Sequence, residues 1–159
     1  MAMKYDQFID MYKLTKTTEK AYHLFLRQFL LEQGLRLMAK TKKLTPVDTG
    51  NLRNRWELSK VYELGNGNYG IMLFNPAEYA SWVEEGHMQH RRFVPGTWKG
   101  SGDKSRFVYD PKADGGMMLQ EKWIPGFHMA RISLNQIKAE LPARYERALE
   151  KWLSGQFMP

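Results

Sequence analysis

The spacing of apolar residues predicts helices in the first third of the chain. Apolar side chains recur every three or four positions over residues 4–14, which predicts a short amphipathic helix. The run TKTT then interrupts the pattern, and a long helix is predicted over residues 19–43. Its apolar face consists of Tyr22, Phe25, Leu26, Phe29, Leu30, Leu35, Met38 and Ala39.

After residue 55 the apolar period changes from helical to two, which predicts a β-hairpin. Trp56, Leu58, Tyr62 and Leu64 alternate with polar residues, GNGN supplies the turn, and YGIMLFN is typical of a returning strand. A short helix is predicted next, because Tyr79, Trp82 and Val83 have helical spacing and Gly86 is a typical stop.

Residues 87–122 lack a regular apolar period. Five glycines divide them into short pieces such as RFV and RFVYD, so we predict a long, glycine-rich, mobile loop inserted into the domain. Order returns at residue 123. Ser133 and Gln136 form a capping-box pattern that predicts the start of a C-terminal amphipathic helix, which Pro142 either kinks or divides.

These elements predict a single α+β domain. It has a long N-terminal helix, a small antiparallel sheet with a hairpin, and a C-terminal helix packed on that sheet. The predicted divisions are an N-terminal segment (1–18), a helix plus hairpin (19–86), the loop insertion (87–122) and a C-terminal helical segment (123–153).

The composition shows an excess of basic residues, and it excludes several classes of function. The chain has 159 residues, a net charge of +7 and no cysteine, so disulfides, thiolate metal sites and thiol nucleophiles are absent. No apolar run is long enough to cross a bilayer, and the N-terminus lacks the pattern of a signal peptide. Basic residues cluster in two segments, with Arg36, Lys40, Lys42, Lys43, Arg53 and Arg55 in the first and Arg91, Arg92, Lys99, Lys104, Arg106 and Lys112 in the second. Such clusters suit either a solvated surface or contact with phosphate backbones.

The tripeptide Asp48-Thr49-Gly50 also occurs at the active site of retroviral-type aspartic proteases. That chemistry needs two carboxylates that share a proton, and here a lysine-rich segment and Pro46 precede the aspartate instead of a buried strand. The pattern favours Asp48 as the cap of a short helical turn, accepting hydrogen bonds from the N–H groups of Gly50 and Asn51.

The sequence contains only weak patterns for a metal site or a cofactor-binding loop. Glu84, His87 and His90 are three residues apart and would share one face of a continuous helix, but Gly86 interrupts that span. Neither GNGNYG nor GSGDK has the lysine pattern of a phosphate-binding loop. We therefore predict no catalytic residue, no metal and no cofactor.

The order of the motifs resembles the HK-97-type (gene product ten) tail-component family of long-tailed phages. The resemblance runs over residues 19–153, in the order TPVDTGNLRNRW, a hairpin, NPAEYASWVEEGH, RRFVPG and WIPGFHMARIS. Three groups of residues carry it: Pro46, Asp48, Thr49, Gly50, Leu52 and Arg53; then Tyr79, Ala80, Val83, Glu84 and Gly86; then Trp123, Gly126, Phe127 and Met129.

The resemblance implies a non-enzymatic structural protein of the virion. Such a subunit is expected to form a homo-oligomeric, sixfold ring at the head–tail junction, between head-connector and tail proteins, after synthesis in the host cytoplasm. The ring would lie along the path of viral DNA and touch it without reading its sequence. The basic residues predicted to line that channel are Lys40, Lys42, Lys43, Arg91, Arg92, Lys99 and Lys104. The alternatives are a sequence-independent nucleic-acid-binding module and the Asp-Thr-Gly protease.

Overall fold

The first element is one long helix, α1, over Tyr5–Leu44. The computed structural model describes the backbone of residues 5–157 and the side chains of residues 16–155, so the apolar face predicted over residues 4–14 lies outside the described side chains. The predicted interruption at TKTT is wrong. Threonine costs a helix only a few tenths of a kcal/mol relative to alanine, about 0.7 at most, and neither glycine nor proline is present to break it.

A bend at residues 45–50 leads into a four-residue helix, α2 (Asn51–Asn54), and then into the predicted hairpin. The hairpin has four short strands, β1 (Glu57–Leu58), β2 (Tyr62–Gly65), β3 (Asn68–Gly70) and β4 (Leu73–Phe74). β2 pairs with β3 and β1 pairs with β4, both antiparallel. The hairpin packs on α1, where a Cβ at Gly34 would lie 2.7 Å from Ile71 Cδ1. Gly34 lets the Ile71 side chain lie close to the helix backbone, and it weakens the helix relative to alanine.

The last element, α4 (Met129–Phe157), runs antiparallel to α1 and packs along it. Aromatic rings fill the contact: the ring centroids of Phe25 and Trp152 are 5.4 Å apart, and those of Phe29 and Tyr145 are 5.5 Å apart. The hydroxyls of Tyr22 and Tyr145 hydrogen-bond at 2.8 Å, and this bond raises the pKa of Tyr145 to about 12. The predicted C-terminal helix is thus confirmed, but it packs on α1, whereas we predicted that it packs on the sheet.

Two details of α4 differ from the sequence-based expectation. The helix begins at Met129, so Ser133 is a fully buried interior residue and does not cap the helix. An S-x-x-Q pattern caps only where the chain enters the helix, and here the residue before α4 is His128, with φ 51°. Pro142 lies inside the single helix and does not divide it. The carbonyl of exposed Lys138, which loses its intrahelical donor, can bond water instead.

The segment predicted as a loop forms strands. After α3 (Ala80–Glu85) come β5 (Gly86–Gln89), β6 (Arg92–Lys99), a 3-10 turn (Gly102–Lys104), β7 (Arg106–Tyr109), β8 (Gly116–Leu119) and β9 (Lys122–Pro125). β5 pairs with β9, and β6 lies between β7 and β8, all antiparallel. The prediction of a long glycine-rich loop is therefore wrong.

Glycine in this segment serves close packing between strands. A Cβ at Gly96 would lie 2.6 Å from Phe107 Cζ, and one at Gly116 would lie 2.5 Å from Phe93 Cζ. Each glycine leaves room for an aromatic ring from the neighbouring strand to lie over the backbone. These glycines broke the apparent apolar period, which explains why the pattern suggested a loop.

The chain forms two compact units. The helical unit comprises the residues up to Glu78 and those from Met129 onward, and the strand unit comprises Tyr79–His128. The α+β class is confirmed, with its long N-terminal helix, small antiparallel sheets and C-terminal helix. Over residues 5–157, no helix combines the length and apolar character needed to span a membrane.

Candidate functional site

The first motif forms a buried polar corner after α1. Thr45 is 1% exposed, and its Oγ1 donates to the Thr41 carbonyl at 2.7 Å and accepts from Trp56 Nε1 at 2.9 Å. Arg53 Nη2 donates to the Thr45 carbonyl at 3.0 Å. A single threonine thus connects the end of α1 to α2 and to the start of the hairpin, and this network sets the direction in which the chain leaves the helix.

Leu52 and Asn75 extend this corner to the end of the hairpin. The Leu52 side chain is 6% exposed, and its carbonyl accepts from Asn75 Nδ2 at 2.8 Å. Asn75 Oδ1 in turn accepts from the N–H of Ala77 at 3.0 Å. The motif residues Leu52 and Arg53 therefore hold the fold together at this point.

Asp48 lies in the exposed bend before α2. Gly50, with φ 83°, is the N-cap of α2, and no side-chain hydrogen bond caps this helix. The N–H of Asn51 donates instead to Thr49 Oγ1 at 3.4 Å. The predicted Asp48 cap is therefore wrong, because α2 begins at Asn51 with Gly50 as its N-cap and no side chain caps it. A protease carboxylate would need to be buried beside a second carboxylate, whereas the Asp48 side chain is exposed.

The second and third motifs meet inside the strand unit. Gly86 pairs with Pro125 at the start of the β5–β9 ladder, and the N–H of Phe127 donates to the Val83 carbonyl at 2.8 Å. A Cβ at Gly86 would lie 2.6 Å from the Ile124 carbonyl oxygen and 2.8 Å from the Gly126 nitrogen. Gly86 and Gly126 are therefore needed, because a side chain at either position would clash with the backbone of the other motif.

Other motif residues in these segments differ in exposure. Ala80 is 9% exposed, whereas Tyr79, Trp123 and Phe127 are exposed. Met129, at the start of α4 in the helical unit, is fully buried. The motifs thus contain both packing residues and residues with apolar side chains on the surface.

The alternative metal trio is not assembled as the spacing suggested. α3 ends at Glu85, and His87 lies in β5, opposite Ile124. Among the described residues, the ligand atoms that lie within 4.8 Å of one another belong to Glu84, Glu85 and His128. Both glutamates also have other interaction partners. Neighbouring carboxylates are common on protein surfaces, so we assign no metal to this group.

The basic residues predicted to touch DNA differ in their surroundings. Lys40 Nζ lies 3.1 Å from Glu140 Oε1, and Arg36 Nη2 lies 2.6 Å from Glu140 Oε2. Hydrogen bonds from Arg36 and Lys40 hold the pKa of Glu140 below its usual range. The fold therefore partly neutralises Lys40. Five of the other predicted residues are exposed: Lys43, Arg91, Arg92, Lys99 and Lys104.

The strand unit exposes many large apolar side chains. Five Trp and Phe residues of this unit are each more than half exposed: Trp82 59%, Phe93 54%, Trp98 60%, Trp123 57% and Phe127 57%. All five lie within a segment of 50 residues, Tyr79–His128. Apolar periodicity alone missed this surface, because it assumes that aromatic residues at regular spacing point into a core.

Sequence reasoning also missed a group of cations on α4. Arg144, Arg147 and Lys151 line a cavity of about 270 Å³ in the helical unit, together with Gln33 of α1. Their spacing of three and four residues places them on one helix face, a signal that the sequence contains. The glutamine could not be found in that way, because only the packing of α1 on α4 brings it to the cavity.

Two folded units, exposed aromatic side chains and motifs used for packing are typical of a protein that contacts other proteins. A family model described as "Bacteriophage HK97-gp10, putative tail-component" matches residues 11–86. The chain belongs to this family of phage tail components, as its motifs indicated.

Two relatives come from Bacillus subtilis (strain 168). The chain is 32% identical over 113 residues to the phage-like element PBSX protein XkdI, an alignment that covers 67% of this chain and 68% of the relative. It is 30% identical over 122 residues to the uncharacterized protein YqbI, covering 70% of this chain and 71% of the relative. No solved structure matches the chain.

Proposed function

We propose that this tail-component protein is a non-enzymatic neck subunit that completes the tail at the head–tail junction. In this role it forms a homo-oligomeric ring of sixfold symmetry between head-connector and tail proteins, after synthesis in the host cytoplasm. The observation that supports the proposal is the exposed aromatic set of the strand unit, Trp82, Phe93, Trp98, Trp123 and Phe127, on a member of a virion protein family. Large apolar side chains that form one patch on a surface mark contacts with other proteins.

Ring assembly gives this surface a physical purpose. Fully covering one large aromatic side chain stabilises an interface by about 1.5–3 kcal/mol. A ring repeats the same heterologous contact around its axis, so even a weak pairwise contact becomes cooperative when the ring closes. The same subunit in isolation is expected to be a monomer or a weak oligomer at low concentration.

The proposed ring also gives the exposed cations a role along the DNA path. Contacts between Arg or Lys side chains and phosphates do not depend on base sequence, so DNA can move past them. Lys99 and Lys104 at the end of β6 and in the 3-10 turn, together with Arg91 and Arg92, are the exposed candidates. Binding of this kind weakens steeply as salt concentration rises.

Complementation of a phage lacking this gene tests the neck role. Without the protein we expect DNA-filled heads and free tails that do not join, and electron microscopy of lysates would show both. The wild-type chain restores joined particles, whereas Trp98→Ser with Trp123→Ser restores fewer than one tenth as many. Val47→Ser, which replaces a 52% exposed apolar residue of the helical unit, is the matched control and complements fully. Normally joined particles in the absence of the protein would overturn the proposal.

A further inference from the structure

The cavity between α1 and α4 of the helical unit is lined by donors from both helices. Its volume is about 270 Å³, and its polar lining consists of Glu32, Gln33, Arg144, Arg147 and Lys151. Three cations and one carboxylate leave a net charge of +2 around a space large enough for a small ligand. None of these residues belongs to the motifs or basic clusters discussed above.

Gln33 places a fixed, unpaired donor at this cavity. The side chain is 4% exposed, and its Oε1 accepts from Arg36 Nη1 at 3.1 Å. Because a guanidinium can only donate, this bond fixes the amide with its oxygen toward Arg36 and its NH₂ group elsewhere. Nε2 is buried and has no hydrogen-bond partner among the side chains of residues 16–155 or the described backbone. A buried donor of this kind destabilises the fold unless an acceptor reaches it.

Arg144 adds a second unpaired donor to the same lining. Its Nη2 donates to Glu32 Oε1 at 3.0 Å, which orients the guanidinium, while its Nε is buried and has no hydrogen-bond partner in the described part of the chain. The residues that carry these two buried donors, Gln33 and Arg144, come from different helices and line one cavity. Acceptor-rich ligands are the chemical class that satisfies both.

Arg147 and Lys151 supply positive charge at exposed positions of the lining. Arg147 donates through Nε to the Ala143 carbonyl at 3.0 Å, a bond that leaves its two terminal nitrogens available. Lys151 forms no ion pair within residues 16–155. Both side chains are exposed, so an anion can approach them from solvent before it reaches the buried donors.

We propose that this cavity binds a phosphate group. A phosphate has several acceptor oxygens arranged tetrahedrally, which suits donors that converge from two helices, whereas a carboxylate has only two coplanar oxygens. Its charge of −1 to −2 matches the net charge of +2 around the cavity. The phosphate comes either from the medium, as inorganic phosphate, or from a nucleic-acid backbone. The site stands apart from the proposed neck role and does not require a ring.

Calorimetric titration of the purified full-length chain with inorganic phosphate, at constant ionic strength, tests the site. We expect saturable one-to-one binding, and Gln33→Glu should weaken it at least tenfold, because this change keeps the acceptor for Arg36 and replaces the unpaired donor with an anionic oxygen. Arg147→Gln with Lys151→Gln should also weaken binding at least tenfold, and these exposed changes are not expected to affect folding. Lys138→Gln, which removes one exposed positive charge from the same helix outside the lining, should leave the affinity within twofold of wild type.

Competition experiments with a DNA duplex identify the source of the phosphate. If a short DNA duplex competes with inorganic phosphate and loses affinity in Arg147→Gln with Lys151→Gln, the nucleic-acid backbone is the source. If duplex binding does not respond to those changes, the free ion is the ligand. Equal phosphate affinities in the wild type and in both sets of lining variants would overturn the proposal. It would also be overturned if a glutamate-rich peptide bound the lining while phosphate did not.

Discussion

Thr45→Val is the sharpest test of how the first motif acts. The two side chains have nearly the same shape, so the substitution removes a hydroxyl and little else from a position that is 1% exposed. Two hydrogen bonds disappear: the one to the Thr41 carbonyl at 2.7 Å and the one from Trp56 Nε1 at 2.9 Å. The free energy of unfolding should fall while the fold stays the same.

The two lost bonds contribute unequally to the expected change. The Thr41 carbonyl keeps the Thr45 backbone N–H at 3.0 Å, so losing the hydroxyl there costs about 0.5–1.5 kcal/mol. Trp56 is 6% exposed, and its indole N–H would be left without an acceptor, which costs about 1–3 kcal/mol. The expected decrease in the free energy of unfolding is therefore about 1.5–4.5 kcal/mol.

Urea unfolding followed by tryptophan fluorescence and circular dichroism measures this change. Thr49→Val is the matched control: Thr49 is exposed, its hydrogen bond to the Asn51 N–H is 3.4 Å long, and its loss should cost about 0.5 kcal/mol or less. In a Trp56→Phe background, Thr45→Val should cost at least about 1 kcal/mol less, because no unpaired donor remains. A Thr45→Val variant as stable as Thr49→Val would refute the role of this corner.

Three further outcomes follow from the structure. Gly86→Ala should destabilise the strand unit by about 1–3 kcal/mol from backbone conformation alone, because φ is 88° and ψ is 171°. Gly155→Ala, in α4 with open space around it, should be neutral or stabilising. Hydrogen exchange and thermal unfolding of the two variants measure the difference. Arg36 and Lys40 depress the pKa of Glu140, so the stabilisation of the fold by Glu140 is complete above the ordinary glutamate pKa of 4.5 and is lost as pH falls through the lower folded-state pKa. The difference in urea midpoint between wild type and Glu140→Gln should therefore shrink between pH 6 and pH 3. A constant difference would contradict the ion-pair reasoning. Neutralising Arg91, Arg92, Lys99 and Lys104 should weaken DNA binding alike on unrelated sequences and flatten its salt dependence, whereas a sequence-selective loss in filter binding would contradict backbone contact.

Local signals in the sequence were sufficient for the helices and the first hairpin. The apolar period over residues 19–43 predicted most of α1, and Gly86 marked the end of α3. The GNGN turn predicted the β2–β3 hairpin, because its partners are close in the chain and the turn fixes their pairing. The motif order also predicted the family, since it requires only the residues and their sequence.

The strand unit depended on pairing between distant residues. β5 pairs with β9, so Gly86 lies opposite Pro125, and neither short segment has a pattern that specifies its partner. Glycines at positions 96 and 116 disturb the apolar period, yet they are needed so that the rings of Phe107 and Phe93 can lie against the backbone. Period-two alternation describes a strand whose faces differ in burial, and such contacts across strands fall outside that description.

Tertiary packing formed both the hydrogen-bonded corner at Thr45 and the cavity between α1 and α4. The sequence by itself determined that Arg144, Arg147 and Lys151 share a helix face and that Thr45 follows a long helix. Only the antiparallel packing of α1 on α4 brought Gln33 to those cations, and only the turn after α1 brought the Trp56 N–H to the Thr45 hydroxyl. Spacing along the chain sets which side chains share an element, whereas burial and hydrogen-bond partners depend on which elements meet, and that is a property of the whole fold.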